Sequence, residues 1–431
     1  MVIGINARAL LDIYTGIGQY TLNLLKEFEK IEKKRDSDNL DFGSTNGATE
    51  VKFVIVVPSE SCAKILHEKK IYPRDICEIN VLPEITWLPL GLRRHYWEQR
   101  QLPRFFNEYR DDSGRSIDAV FLPYVCPPWM KSYSYKTNSR KTKTFMTIHD
   151  AIPWTDDTYR TGLLSHLSHV MAKRSLKHID QLITVSHTAA KDIAKATGIP
   201  EASLKVIYNA PGEIFQQEEW SEESMSGELM NNQNRPPPQT LTRYALYVGG
   251  YDKRKNVGQL TKMWTKYGQG PLVLVGGKVR DTKLYSDYPD VYPTNNFSLS
   301  DAKNSLTNLT KKNTLQVVQT GFLSDESLAE IYRTARVFLH FSEKEGFNIP
   351  ITEAMASHIP MLLSDTPVHR EIAGTAAMYV NPSDEEAIKE AFDRIWNDEK
   401  LRSDLMEKCR IVKKSYSWKR SAQAYVDLFT R

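Results

Sequence analysis

Short runs of β-branched and apolar residues recur along this chain, separated by longer stretches whose apolar positions return every three or four residues. In the first half the runs fall at residues 2–5, 52–57, 119–122, 144–148 and 181–185. In the second half they fall at 244–248, 272–275, 315–319, 337–340 and, more briefly, 361–363. Apolar runs without polar alternation, joined by helical stretches, are what parallel strands covered on both faces require. Each half therefore reads as a doubly wound α/β domain. Between them, residues 216–243 read QQEEWSEESMSGELMNNQNRPPPQTLTR, too polar and proline-rich to bury a core. The expected organisation is a first domain over 1–215, a linker over 216–243, a second domain over 244–412 and a tail over 413–431. Two more polar stretches, 33–50 and 280–312, read as an interruption of the first βαβ unit and an inserted surface loop.

Open α/β sheets bind ligands beyond the carboxyl ends of their strands, so chemistry is sought there. Two such domains facing each other would enclose a cleft. After the run at 337–340 comes SEKEGFNIPITEAMASHIP. Pro350 suits the first turn of a helix, which places Glu345 in the preceding loop and Glu353 in that first turn. The free amides of residues 346–351 would then suit an anion. The same two carboxylates equally fit an acidic pair that complements a helix dipole. After the run at 244–248 comes VGGYDKRKNV, with Gly249-Gly250 followed by Lys253, Arg254 and Lys255. Glycines admit a close ligand and the cations would offset diphosphate charge. No P-loop pattern is present there. In the first half, Gly16 and Gly18 of TGIGQY precede a helix expected over 20–30, and His149-Asp150 ends the strand TFMTI. Ser186 and Asn209 hold similar strand-end places, where either could instead cap a helix or turn.

Composition narrows the classes. The 431 residues are 41% hydrophobic and 26% charged, which excludes a wholly disordered chain. No apolar run approaches the roughly 18 residues of a membrane span. The start, MVIGINARAL, lacks the apolar core of a signal peptide. The net charge of +4 (57 − 53) demands no nucleic acid but tolerates an anionic surface or phosphorylated substrate. Cys62, Cys77, Cys126 and Cys409 are widely spaced, which predicts buried thiols in a reducing compartment and no zinc site. His166 and His169 have no completing ligand set, so no metal is expected. Residues 93–115 and 131–143 interleave basic and aromatic residues. They fit either an anionic headgroup surface or a helix packed by its aromatics plus a solvated loop.

Together these pieces resemble the retaining glycosyltransferases of the GT-B fold, specifically glycosyltransferase family 4 (group 1), with a mannosyltransferase-like character. The matching stretches, in family order, are GIGQYTLNLL, TIHDAIPW, ITVSHTAAKDI, VIYNAP, YVGGYDKRKNV, TGFLSDESLAEIYRTARVFLHFSEKEGFNIPITEAMA and HREIAGTAAMYVNPSDEEAI. The resemblance implies two Rossmann-like domains facing across a cleft, with SYSWKRSAQAYVDLFTR as a final helix crossing back to the first. It implies transfer of a hexose from a nucleotide sugar, GDP-mannose first and UDP-glucose second, to a saccharide or polyprenyl-linked acceptor, without metal or other cofactor. The setting it implies is surface polysaccharide (lipopolysaccharide) synthesis, cytoplasmic or peripheral at the inner face of the membrane. Glu345 and Glu353 fall on the family's E-x7-E motif. Glu345 is implied to lie beside the anomeric centre, Lys255 at the diphosphate and His149 near the donor sugar, these three being the catalytic set. Glu353 would hold the ribose, and Gly346, Phe347, Asn348 and Ile349 would line the sugar–phosphate contact. Gly16 and Gly18 would face the phosphates, and Leu323 would pass the base. The chain departs from the pattern at Gly250, where an Arg is common; either Arg254 substitutes or the site relies on Lys255 alone. It departs again at Asn348, where glycine is usual, and at His369-Arg370, where proline is commoner. A hydrolase, epimerase-like enzyme or phosphorylase would use the same nucleotide-sugar site, and a non-catalytic scaffold would keep only its binding.

Overall fold

The computed structural model describes residues 1–41, 51–71, 77–126, 135–137, 140–156, 163–216, 244–277, 291–293 and 317–431. The chain divides into two compact units, Met1–Asn209 with Ser417–Arg431, and Ala210–Tyr416. Of the expected linker, residues 217–243 lie outside the described residues.

The first unit is built on β1 Val2–Asn6, β2 Lys52–Val57, β3 Cys77–Val81, β4 Ala119–Leu122, β5 Lys143–Ile148, β6 Gln181–Thr184 and β7 Leu204–Val206. They form one sheet in the order β3-β2-β1-β4-β5-β6-β7, with every pairing parallel. The apolar runs are all strands. β3 and β7 were not anticipated: they are edge strands, CEINV and LKV, too short or too polar to form an apolar run. The order reverses between β1 and β4, which puts a switch point at the carboxyl end of Asn6. The first helix, α1 (Gly16–Asp41), starts four residues before the expected Tyr20 and continues well past Lys30. The stretch IEKKRDSDNLD has few strong helix breakers, so the polar segment is helical through Asp41. Ser186 proves to be a cap: its side chain accepts from the Ala189 amide at 2.9 Å and starts the helix His187–Thr197.

The segment 93–115 resolves into packed helix as far as Glu108, followed by a turn. Trp97 and Phe106 are buried, and Arg94, Arg104 and Arg115 pair locally with Glu98, Glu108 and Asp111. Arg93 binds the carbonyls of Thr86 and Leu88. Trp97 and Phe106 thus serve the core, and three of the six arginines pair with acids of the same segment. Residues 131–134 and 138–139 lie outside the described residues.

The last helix, Trp418–Phe429, completes the first unit's core. Ser417 caps it, and its buried face meets α1 and the sheet. The Tyr425 hydroxyl lies 2.5 Å from that of Tyr20 and 3.0 Å from that of Thr147. Phe429 packs on Phe28, Phe121 and Phe145 at ring separations of 6.1, 5.5 and 5.0 Å.

The second unit holds β8 Ala245–Val248, β9 Leu272–Val275, β10 Val291–Pro293, β11 Val317–Gly321, β12 Val337–His340, β13 Met361–Ser364 and β14 Ala377–Val380. Their order is β10-β11-β9-β8-β12-β13-β14, again all parallel. The helices used below are α2 (Val257–Tyr267), α3 (Asp325–Thr334), α4 (Ile349–Ala356) and α5 (Pro367–Ala373). Trp264 of α2 meets Phe392 and Trp396 at 4.8 and 5.4 Å, over a floor of Leu274, Leu339 and Phe341. The reading of 280–312 as a loop is corrected by β10, which pairs with Val317–Gln319. A three-residue strand ending in proline belongs at a sheet edge and carries almost no sequence signal. The rest of that stretch, and residues 315 and 316, lie outside the described residues. The switch point of this sheet falls between β8 and β12.

Because Phe429 is fully buried, Phe429→Ala should lower unfolding free energy by about 3–5 kcal/mol. A urea unfolding midpoint equal to that of the parent chain would show that the last helix contributes nothing to this core.

Candidate active site

The carboxyl ends of β8 and β12 bring two loops together. After β8, Gly249 has φ +154°, and a Cβ there would lie 2.7 Å from the Tyr247 hydroxyl. That hydroxyl donates to the Gly250 carbonyl at 2.6 Å and closes the turn. A single 3₁₀ turn, Lys253–Lys255, follows, and Asn256 at φ +56° leads into α2. The turn faces the loop after β12. Lys255 Nζ lies 2.5 Å from Glu345 Oε1, and Arg254 Nη1 lies 2.8 Å from Glu345 Oε2. Arg254 also donates to the Lys344 carbonyl at 3.0 Å, and the Glu343 amide donates to the Arg254 carbonyl at 2.8 Å. All three charged side chains are largely buried. Burial by itself would raise the Glu345 carboxyl, but Lys255 and then Arg254 outweigh it and hold the group at about 2. Glu345 is therefore ionised, and its charge is shared between the two cations proposed from sequence for a diphosphate.

Three residues join Glu345 to α4. Gly346, Phe347 and Asn348 are buried, and Asn348 adopts φ +77° immediately before Ile349. Pro350 occupies the first turn, as its missing N–H allows. The Asn348 amide nitrogen lies 3.1 Å from His369 Nε2 and 3.2 Å from His340 Nδ1. His369 Nδ1 is 3.0 Å from the Ser364 carbonyl, which can only accept, so Nδ1 carries the proton. Nε2 is then the acceptor for Asn348, with the Ser342 hydroxyl also within 3.2 Å. Burial holds His369 down at about 4 and His340 well below its ordinary value, so both rings are neutral. Two of the sequence departures, Asn348 and His369, thus touch each other. Arg370 instead turns outward onto Asp365 and over the Tyr379 ring.

Glu353 occupies the second turn of α4, one turn later than expected, since the helix starts at Ile349. Its Oε2 accepts from the Tyr332 hydroxyl at 2.9 Å. It is 8% exposed, and burial pushes its carboxyl up to about 7 despite that hydrogen bond. The two glutamates therefore differ in kind: one is permanently charged and the other titrates near neutrality. Leu323 is partly buried between the end of β11 and the Ser324 cap of α3.

The remaining expected residues lie in the first unit. Gly16 and Gly18 sit within the first turn of α1, not before the helix. A Cβ at Gly18 would lie 2.2 Å from the Asp12 carbonyl, so that position excludes a side chain, whereas Gly16 has open space. His149 directly follows β5, and its Nε2 lies 2.8 Å from the Pro123 carbonyl, which puts the proton on Nε2. Tyr20 meets its ring edge-on at 4.6 Å. Burial lowers His149 to about 4, so it is a neutral imidazole with Nδ1 as an acceptor. Asp150 caps the Ile152 amide at 2.9 Å. The sequence reading overlooked His340 and Tyr332. His340 ends an apolar strand and His149 directly follows one, so the same rule would have found it. Tyr332 lies on the apolar face of α3 and gave no signal.

The four cysteines are free and buried. Among the described residues, no cluster of His, Cys, Asp or Glu could hold a metal ion, and no helix is long and apolar enough to cross a membrane.

Comparison with known proteins bears on the fold and the family. Residues 231–411 match the model "Glycosyl transferases group 1", and residues 72–210 match "Glycosyltransferase Family 4". The chain is 24% identical over 364 residues to the serotype-specific mannosyltransferase WbdA of Escherichia coli, covering 83% of this chain and 38% of that one. It is 27% identical over 254 residues to the O-antigen chain mannosyltransferase RfbU of Salmonella typhimurium, covering 58% of this chain and 60% of that one. It thus spans less than two thirds of either relative. Among solved structures, Anabaena Alr3699/HepE in complex with UDP-glucose superposes with a TM-score of 0.63 at 13% identity, over 100% of this chain and 99% of that one. At that identity the likeness concerns the fold. On these matches and the two parallel sheets, the chain belongs to the GT-B glycosyltransferases, residues 72–210 to family 4 and residues 231–411 to group 1.

Proposed function

We propose that this chain transfers a hexose, mannose, from GDP-mannose to a saccharide or lipid-linked saccharide in surface polysaccharide synthesis, with retention of configuration and without a metal ion. The observation that carries the reading is the Glu345 carboxylate held by Arg254 and Lys255 at the entrance of α4. A departing nucleoside diphosphate needs fixed positive charge. Two cations and the amides leading into α4 supply it, which supports chemistry independent of metal. The donor's diphosphate competes with Glu345 for these cations. Once they turn to phosphate, Glu345 is an unpaired carboxylate beside the sugar, able to stabilise the positive charge that grows at the anomeric carbon. Glu353 is assigned to the ribose hydroxyls, Leu323 to the base, and Gly346, Phe347, Asn348 and Ile349 to the sugar and phosphates. In the first unit, neutral His149 is assigned to a sugar hydroxyl, and Gly16 and Gly18 to a phosphate. The names of WbdA and RfbU support mannose, and RfbU's supports a saccharide acceptor.

Incubation with labelled GDP-mannose or UDP-glucose and polyprenyl-linked saccharides tests the reading. Transfer of mannose is expected; release of free sugar alone, or binding without turnover, would contradict it.

Glu345→Gln should lower kcat by about 100-fold or more, roughly 2.7 kcal/mol of barrier. The same change should tighten binding of free nucleoside diphosphate several-fold, because Lys255 and Arg254 lose their competitor. Steady-state kinetics and calorimetry check both, and near-normal kcat would refute the assignment. Glu353→Gln should act mainly on the donor KM, by about 1–2 kcal/mol. It also has a stability signature. The folded-state value of Glu353 lies above its unfolded one, so its stabilising contribution is complete below about 4.5 and is lost as pH rises through about 7. Glu353→Gln removes that loss, so it should gain more melting temperature over the parent at pH 8 than at pH 5. An equal difference at both values would show that Glu353 does not titrate in this range.

A further inference from the structure

We propose that Tyr332 is a positioning residue for donor binding: its hydroxyl orients the Glu353 carboxylate and keeps it competent to accept a nucleoside's diol. The proposal rests on the donor reading above. Tyr332 is fully buried on α3, and its hydroxyl lies 2.9 Å from Glu353 Oε2 and 3.3 Å from the Pro350 carbonyl. The ring is held on two sides. Phe215, from the short helix Glu213–Gln216, meets it edge-on at 5.4 Å and 85°, and Phe338 of β12 lies at 5.8 Å. Arg333, the next residue, donates to the Ile214 carbonyl at 2.6 Å and ties the same two helices together. The hydroxyl has little freedom to point elsewhere, and of its two acceptors the carboxylate is the nearer.

Glu353 differs from Glu345 in how it is held. Glu345 has two cations, whereas among the described residues no cation pairs with Glu353. The titratable groups acting on it are Tyr332, which favours the carboxylate by hydrogen bonding, and Asp325, which disfavours it by repulsion, both from α3. The helices Glu213–Gln216, α5 and Glu399–Val412, which also pack on α4, bring no ion pair to it among the described residues. A diol donates two O–H groups, and the ionised carboxylate accepts them better than the acid, because protonation turns one of the two acceptor oxygens into a donor. Donor binding at this residue must therefore compete with a proton, and the Tyr332 hydroxyl shifts that competition toward the donor.

The test is calorimetric binding of GDP-mannose and UDP-glucose to the full chain between about pH 6 and pH 9. Parent affinity should weaken as pH falls through about 7, and in Glu353→Gln the dependence should vanish. Tyr332→Phe keeps the ring and its packing, so the fold should be retained. It should weaken the donor about fivefold to tenfold near neutral pH, move the pH midpoint upward and leave kcat within about twofold. Phe215→Leu, which loosens the ring but leaves the hydroxyl, should move affinity the same way by less. If the parent binds a nucleotide sugar and Tyr332→Phe binds it with the same affinity and midpoint, the positioning role is overturned while the donor reading stands. If the parent binds neither nucleotide sugar, the donor reading falls and the proposal with it.

Discussion

The structure around the candidate site depends on one charge cluster: the Glu345 carboxylate sitting between Arg254 and Lys255. Removing one partner of a buried ion pair typically costs about 3–5 kcal/mol, because the other charge is left without compensation. The cluster therefore clamps the loop after β12 to the turn after β8, across the switch point of the second sheet. The clamp is reversible in a way an apolar contact is not. A diphosphate would offer the two cations the same kind of partner that Glu345 does, so under the proposed function the pairing that orders these loops would also hold positive charge ready for the leaving group.

The surrounding residues make sense as supports for that cluster. Gly249 lets the first loop turn tightly against Tyr247. Asn348, in a left-handed conformation that asparagine tolerates better than most residues, fixes the second loop by giving its amide to two neutral histidines. Neutrality matters, because a charged imidazole beside Lys255 and Arg254 would compete with them for Glu345. One helical turn further on, Glu353 sits with a phenol for a partner instead of a cation, and its carboxyl lies near neutrality where Glu345 lies near the bottom of the carboxylate range. Two carboxylates eight positions apart are thereby set to different work by their surroundings alone, one acting as a fixed charge and the other as a hydrogen-bond acceptor open to protonation.

Much of this was legible in the sequence because it rests on local rules. Apolar runs marked the central strands, where burial on both faces leaves no polar alternation. Pro350 located the start of α4, and the cations after Gly249-Gly250 stood out against an apolar strand. What escaped notice depended on contacts distant in sequence. Edge strands β3 and β7 bury too little to need apolar runs, and β10 is only three residues long. The unexpected length of α1 came from a polar tail whose composition suits helix as well as loop. Asn348 and His369 were each noticed as departures, but 21 positions separate them, and only the sheet brings β13 and α5 beside the Glu345 loop. The same separation of 21 positions hid Tyr332 from Glu353. The arginines of 93–115 left two readings open, a cationic surface or a helix packed by its aromatics. What charge counted along the chain did not show is that helical spacing places acids four residues from Arg94 and Arg104.

The central claim is that Arg254 and Lys255 exchange Glu345 for a nucleotide sugar's diphosphate. A crystal structure of the chain with bound GDP measures this most directly. The account predicts that Lys255 Nζ and the Arg254 guanidinium lie within hydrogen-bond distance of phosphate oxygens, with the Glu345 carboxylate released from at least one of them. GDP bound elsewhere, with both Glu345 pairs intact, would contradict it.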